Sequence, residues 1–286
     1  MTYPNLSTFL RNGKAALAKG PVGLIMAEDN VEIQSTIDHH LRAGFQALVV
    51  FAGDEIAPFE ELAPNVHWVV HDMTADAALE TAVNRVIAAA PGLWMYYCYN
   101  SEYLHYPFSE DRTIGEMLAF NTEERRETIL TFTIDLYAGD LNLAPNAVSL
   151  ENAQMDMSGY YALARWNGKS YDERQFDFFG GLRWRFEEHV PWMRRRIDRV
   201  SLFRARAGLE LRPDHTFNIP EFNTYACQWH NNLTAAVCSF RTAKALKRNP
   251  SSRNAIHDFK WRSSTAFEWS SSQLMKLGMM EPGQWF

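Results

Sequence analysis

Long hydrophobic runs are missing from this chain. No apolar stretch approaches the ~20 residues that a membrane-spanning helix needs. The first twenty residues, MTYPNLSTFLRNGKAALAKG, contain no apolar segment of the kind that marks a secretory signal. Together these absences predict a cytoplasmic protein with no transmembrane segment, free to associate peripherally with the inner face of a membrane. Cysteine is scarce: Cys98, Cys227 and Cys238 are the only three. Their odd count and the lack of any CxxC spacing exclude a disulfide framework and a thiolate metal site. Positive charge is not in surplus either, since 28 Lys and Arg face 34 Asp and Glu for a net charge of −6. That balance argues against nucleic acid as a partner. Internal repeats are absent. So are a Gly-x-Ser-x-Gly elbow, a Walker-type phosphate loop and a Gly-x-Gly-x-x-Gly fingerprint. Their absence weakens hydrolase, nucleotide-hydrolase and dehydrogenase readings.

What is present is core material. Hydrophobic residues make up 47% of the 286 and charged residues 22%, and there are 9 Trp, 18 Phe and 11 Tyr. A single domain over 21–286 is expected, preceded by an N-terminal extension over 1–20. Residues 21–27 (PVGLIMA) read as a buried strand, and 31–44 (VEIQSTIDHHLRAG) as a helix capped by Gly44. Residues 46–52 read as a second strand, and 65–72 as a third, alternating one. The alanine-rich 76–91 predicts a helix and 92–99 (GLWMYYCY) a fourth strand. Buried strands separated by helices predict an α/β fold with a mixed, mostly parallel sheet flanked by helices. Ligands of such sheets bind beyond the carboxyl ends of the strands. The polar residues that follow the strands are therefore the site candidates: Glu28-Asp29-Asn30, Asp54-Glu55 and Asn100-Ser101-Glu102. Beyond residue 113 a helix leads into a strand ending near 139, 140–180 reads as loop, and 190–207 as helix or strand. Residues 227–240 are ambiguous, and 256–278 read as a short strand and a helix ending at Gly278. The run Arg194-Arg195-Arg196, with Arg199, Arg204 and Arg206 following, reads as a solvated helix face or as an anionic-ligand or membrane-surface patch.

Several landmarks follow one another in order between about residues 21 and 262. They are GLIMAEDN, IDHHLRAG, the Trp-headed GLWMYYCYNSEYL, Asp135-Leu136-Tyr137, Gly180-Gly181-Leu182-Arg183-Trp184-Arg185 and His257-Asp258-Phe259-Lys260. In this order the chain resembles the family 2-like glycosyltransferases of the GT-A fold, in a bacterial branch. The resemblance implies a nucleotide-diphospho-sugar donor, a glycan or lipid-linked hydroxyl acceptor and a role in polysaccharide biosynthesis. It also implies an Asp-x-Asp pair gripping Mg²⁺ or Mn²⁺, which in turn holds the donor diphosphate through hard oxygen ligands. The matching stretch here is Tyr99-Asn100-Ser101-Glu102, and both aspartates are gone. Three readings follow. Glu102 and His257 hold a metal; or Arg183, Arg185 and Lys260 neutralise the diphosphate; or catalysis is lost, leaving a binding protein for a nucleotide sugar or glycan.

Each candidate also has a structural reading. Asp29 and Asn30 suit capping of the next helix as well as donor contact. Asp54 and Glu55 are donor contacts or solvated loop acids. Asn84, beside Arg85, is a donor contact or part of a surface pair. Asn100 and Glu102 follow a buried strand, where a carboxylate points to function. Gly180 and Gly181 form a turn or let backbone approach the donor. A base for the acceptor hydroxyl would be Asp135, Glu187 or Glu188, although the last two also suit the first turn of a helix. His257 is a ligand or a satisfied core histidine. His39 and His40 read as structural, and His215 and His230 as loop residues, His215 the stronger candidate for substrate contact.

Overall fold

The computed structural model describes residues 1–223 and 232–286, and only the backbone of residues 172–175. Cys227, Trp229 and His230 lie outside the described residues. The amino-terminal part contains β1 (Thr2–Tyr3), α1 (Leu6–Asn12), β2 (Val22–Ala27), α2 (Ile33–Arg42), β3 (Ala47–Ala52), β4 (Val66–Val70), α3 (Ala78–Ala89) and β5 (Trp94–Tyr99). Then come β6 (Glu102–His105), α4 (Ile114–Glu123), β7 (Thr128–Ala138), β8 (Ala153–Asp156), β9 (Tyr161–Trp166), β10 (Tyr171–Phe179) and α5 (Gly181–Arg185). The chain closes with β11 (Asp198–Arg204), β12 (Ala235–Ser239), α6 (Arg241–Arg248), β13 (Ser264–Ala266) and α7 (Ser271–Lys276).

One large sheet carries the order β1-β4-β3-β2-β5-β11-β7-β12-β6, with β8 and β13 branching from β7. Strands β1 to β5 run parallel. Strand β11 is antiparallel to both β5 and β7, so β7 runs with the parallel group. Strand β12 is parallel to β7, and β6 is antiparallel to β12. The carboxyl ends of β2, β3, β5, β7 and β12 therefore share one rim with the amino ends of β11 and β6. The fold is the expected α/β arrangement, a mixed and mostly parallel sheet flanked by helices in a single domain.

Alternation within buried strands explains the layering. Val22, Leu24 and Met26 join one core with α1 and α3, whereas Ile25 and Ala27 join the other with α2 and α4. Both faces are covered, so the strands read as continuous apolar runs. Helix α2 ends as predicted, with Gly44 at φ +96° just past its carboxyl end.

Three expectations are corrected. Residues 1–20 are not an appendage: β1 pairs with β4, and Tyr3, Leu6 and Phe9 belong to the core. That cover also buries His67, whose Nδ1 lies 3.2 Å from the Tyr3 hydroxyl, so β4 is buried on both faces despite its alternating sequence. Residues 140–180 are not simply loop; they hold β8 and the β9–β10 hairpin. Exposure along β9 removed the apolar alternation that would have marked it. The basic run is not one helix face: Arg194 ends a short 3₁₀ turn and the rest lies beyond it. Arg195 pairs with Glu187 at 2.8 Å, Arg196 with Asp198 at 2.8 Å, and both lead into β11.

Among the described residues no helix is long and apolar enough to cross a membrane. Leu24 is fully buried in β2, between β3 and β5 in the parallel group. Leu24→Ala is expected to destabilise the fold by about 2–5 kcal/mol through lost burial and a residual cavity. Urea unfolding should show a lower midpoint at unchanged slope.

Candidate functional site

Strand register assembles a polar row at the carboxyl-end rim. Glu102 of β6 opposes Ser239 of β12, and Ser239 opposes Asp135 of β7. Between β5 and β6 the chain turns through Asn100 and Ser101. Ser101 has φ +63°, an uncommon conformation outside glycine. Surrounding bonds hold it there: its N–H donates to Thr36 Oγ1 at 2.9 Å and its hydroxyl to the Val31 carbonyl at 2.9 Å. Asn100 is equally committed. Its Oδ1 accepts the Glu28 N–H, and its Nδ2 donates to Asp29 Oδ1 at 2.7 Å and the Val31 carbonyl at 2.8 Å. Asn100 thus pins the loop after β2 to the end of β5.

Glu102 is fully buried. One carboxylate oxygen accepts the Tyr99 N–H at 2.9 Å and Arg199 Nη2 at 2.6 Å, and the other accepts the Ser239 hydroxyl at 3.0 Å. Burial would raise its pKa, but the Arg199 guanidinium beside it outweighs burial and holds the carboxyl down at about 2. His257, in contrast, is exposed, and its neighbours Ile256 and Phe259 turn into the core. The expected pairing of Glu102 with His257 around Mg²⁺ or Mn²⁺ does not form. A divalent cation needs several oxygen ligands open to it, whereas both oxygens of Glu102 and the side-chain amide of Asn100 are taken. Among the described residues no group of three or more His, Cys, Asp or Glu comes together as a metal site. The side chains at this position do not fit the metal that the resemblance implied.

The acids after β2 face helix α6. Glu28 receives Arg241 in a two-bond fork, at 2.6 and 2.7 Å. Asp29 Oδ1 accepts Lys244 Nζ at 3.0 Å and Oδ2 accepts Arg248 Nη1 at 2.9 Å. Positions 241, 244 and 248 recur on one helical face, so a single helix presents three cations to two carboxylates. Burial alone would raise the Asp29 carboxyl, but Lys244, with donors from Val31 and Asn100, keeps it below the usual range. The Arg241 guanidinium also lies over the Tyr99 ring, 3.6 Å from its centroid. His215 stacks on Tyr97 and lies 3.0 Å from its hydroxyl. Burial, with Arg199, Arg241 and Arg183 nearby, pushes it down to about 3, so the ring is neutral at pH 7.

Asp135 contrasts with Glu102. It is buried, and its Oδ1 has no hydrogen-bond partner among the described residues. Arg183 is its nearest cation, with Nε 3.5 Å away and a backbone N–H 3.3 Å from Oδ2. Burial pushes the Asp135 carboxyl above the usual aspartate range against the pull of Arg183. The Gly180-Gly181 turn makes this packing possible. Gly181 has φ +62°, and a Cβ there would stand 2.9 Å from Asp135 Oδ2. A Cβ on Gly180 would run into the Tyr160 ring, whose hydroxyl also lacks a partner among the described residues. Beside this pair, buried Asp156 accepts the Tyr137 hydroxyl at 2.6 Å, Trp261 Nε1 at 2.7 Å and Arg185 Nη1 at 3.1 Å. Arg185 thus acts as a structural clamp, closing onto the Phe259 carbonyl at 2.5 Å.

The remaining candidates divide clearly. Asn84 clamps the backbone of Leu211 with both ends of its amide, at 2.7 and 3.0 Å, which leaves nothing for a donor. Glu187 and Glu188 are exposed on a single 3₁₀ turn, so neither is desolvated as Asp135 is. Asp54, Glu55, Asn30 and Lys260 are exposed. His39 Nε2 donates to the Leu104 carbonyl at 2.7 Å, and buried His40 donates from Nδ1 to the Thr36 carbonyl at 2.7 Å. Sequence reasoning missed Ser239, Arg241, Lys244, Arg248 and Asp156, and it placed Arg199 in a basic run rather than against Glu102. The Arg241–Arg248 helix had a readable signal, a three- and four-residue spacing of cations after an apolar strand. Ser239-Phe240-Arg241, not the His257–Lys260 stretch, is the segment that meets Glu102 and Glu28. A cavity of about 260 Å³, lined by Arg126, Thr128, Arg206 and Thr234 among others, lies at the opposite rim, near the amino ends of β7 and β12.

Removing one partner from a buried ion pair leaves the other uncompensated. Glu102→Gln is therefore expected to cost about 3–5 kcal/mol of stability at pH 7. Because the folded carboxyl sits at about 2 against an ordinary 4.5, its contribution is present above pH 4.5 and lost as pH falls toward 2. Melting temperatures across that window should fall more steeply for the wild type than for the variant. No protein-family model matches the chain, and no curated protein matches it.

Proposed function

We propose that this chain is a glycosyltransferase that moves a sugar from a nucleotide-diphosphate donor to a hydroxyl of a glycan or lipid-linked acceptor. The observation that carries this reading is Asp135. It is a buried carboxyl with a raised pKa, one oxygen of which has only the Arg183 Nε at 3.5 Å as an ion-pair partner, at the carboxyl-end rim of a mostly parallel sheet beside a glycine turn. Such rims are where ligands of open α/β sheets bind, and such a carboxyl is suited to accept a proton. The acceptor hydroxyl attacks the anomeric carbon of the donor as its proton passes to Asp135. The new carbon–oxygen bond forms while the bond to the diphosphate breaks, and the diphosphate leaves with the electron pair. Arg183, within ion-pair distance of Asp135, is placed to stabilise the departing charge. Arg185 holds Asp156 and orders the rings of Tyr137 and Trp261 around the acceptor side.

A second reading is binding of a nucleotide sugar or glycan without turnover. The saturated Glu102 favours it, because the acidic pair that the resemblance implied is replaced by a structural ion pair.

The first experiment is a thermal-shift screen with UDP, GDP, CDP and dTDP, with and without Mn²⁺, followed by turnover assays with whichever nucleotide sugar corresponds. A ligand that binds the folded state alone raises the melting temperature. No shift with any nucleotide would sink the donor claim; a shift without turnover would favour the second reading. Asp135→Asn should lower turnover by about 10²-fold or more while leaving nucleotide binding intact. Turnover by the wild type should rise with pH through the raised Asp135 pKa. The stability effect runs oppositely: a raised carboxyl contributes stability below the ordinary pKa that is lost as pH rises through the folded value. Asp135→Asn should abolish that loss, which melting curves from pH 4 to pH 8 would reveal.

A further inference from the structure

The position where the resemblance places a divalent cation already contains a positive charge. Tyr99 stands at the first acidic position of the motif, and the Arg241 guanidinium lies over its ring, 3.6 Å from the centroid. A guanidinium over an aromatic face is attracted by the ring quadrupole. At the last position Glu102 is neutralised by Arg199 and hydrogen-bonded by Ser239. Ser239 also accepts the backbone N–H of Arg241 at 3.2 Å, which ties the two ends of the motif together through one residue. The next residue, Thr242, accepts Arg183 Nε at 3.1 Å, so a second guanidinium stands alongside.

The fork of Arg241 is occupied by an anion. Glu28 places both carboxylate oxygens on Nε and Nη2 at 2.7 and 2.6 Å. This is the geometry in which arginine also takes two phosphate oxygens. About a third of each of these two side chains is exposed to solvent, so an incoming anion can displace Glu28 without opening the core. The buried Arg199–Glu102 pair beside it offers no such exchange.

We infer that Arg241 is the resident cation of this site: it holds the diphosphate of the ligand directly, in place of a divalent metal, with Glu28 occupying its fork until the ligand arrives. The inference rests on the nucleotide-diphosphate reading above and adds to it the means of recognition. Glu28 competes with the ligand, and Arg183 contributes the second positive charge. No bond is made or broken in this step; one anion replaces another on the same two N–H groups.

The test is isothermal titration of the full chain with inorganic pyrophosphate in EDTA, using the wild type, Arg241→Gln, Arg241→Lys and Glu28→Gln. The wild type should bind without metal. Arg241→Gln should weaken binding about tenfold or more, as expected for loss of a charge-assisted fork. Arg241→Lys, which keeps the charge and loses the fork, should fall between them. Glu28→Gln should bind several-fold more tightly, because the competing carboxylate is gone. A purely structural Arg241 would not produce opposite effects at the two partners. Thermal unfolding of each variant checks that the titrated protein is folded. Pyrophosphate or nucleotide binding only in the presence of Mg²⁺ or Mn²⁺ would overturn the inference while leaving the donor reading standing. Equal affinity of wild type and Arg241→Gln would overturn it as well. Metal-free pyrophosphate binding lost in Arg241→Gln, with no nucleotide bound, would support Arg241 and sink the nucleotide reading. Absence of binding by both probes under all conditions would overturn both.

Discussion

The ion pair between Glu102 and Arg199 is the interaction on which the rest of the carboxyl-end rim depends. Glu102 takes the Tyr99 N–H of β5, the guanidinium of β11 and the Ser239 hydroxyl of β12, so one buried carboxylate joins three strands to β6. Two buried charges are expensive to desolvate, and the pair is tolerable because both carboxylate oxygens of Glu102 and the Arg199 Nε have further partners. Arg199 Nε completes this by donating to Ser201 Oγ at 2.7 Å. The pair also fixes the antiparallel strand β11 within an otherwise parallel group. That placement brings the amino end of β11 to the rim where the parallel strands end.

Two buried carboxyls a strand apart are driven in opposite directions. Glu102 has a close guanidinium and a full set of donors, and its pKa falls to about 2. Asp135 has only the longer contact of Oδ1 to Arg183 and a 3.3 Å backbone donor to Oδ2, and burial prevails. Carboxyls whose environments push their pKa values apart take different roles. Here the guanidinium favours the charged form of Glu102, whereas burial favours the neutral form of Asp135. The glycines at 180 and 181 let the chain pass close to Asp135 and Tyr160, where any side chain would collide.

A second layer of charge lies outside these. Helix α6 offers Arg241, Lys244 and Arg248 to Glu28 and Asp29. Asn100 holds the loop carrying those acids, so the cations, the loop and the turn after β5 form one connected unit. Exposure grades across it, from the buried Lys244 to the open Arg248. The pairs nearest solvent are the ones an incoming anion can exchange.

The sequence by itself determined the layered α/β core. Continuous apolar runs at 22–27, 47–52 and 94–99 can be buried only between two helical layers, and the periodicity of 33–42 and 78–89 supplies those layers. It also located the carboxyl-end rim of the sheet, because polar residues follow the buried strands there. It did not reveal β1, whose two residues carry no pattern, or β9, whose exposure erases the alternation that marks a strand. The partners of each site residue were equally hidden. Asp135, Glu187 and Glu188 are equivalent as letters, and only packing buried the first and exposed the others. Glu102 and His257 were both suited to a metal, yet Arg199, 97 residues from Glu102 along the chain, took the carboxylate and left the histidine on the surface. Strand order and register decided those pairings, and they arise from contacts between segments far apart in the chain, which no local spacing encodes.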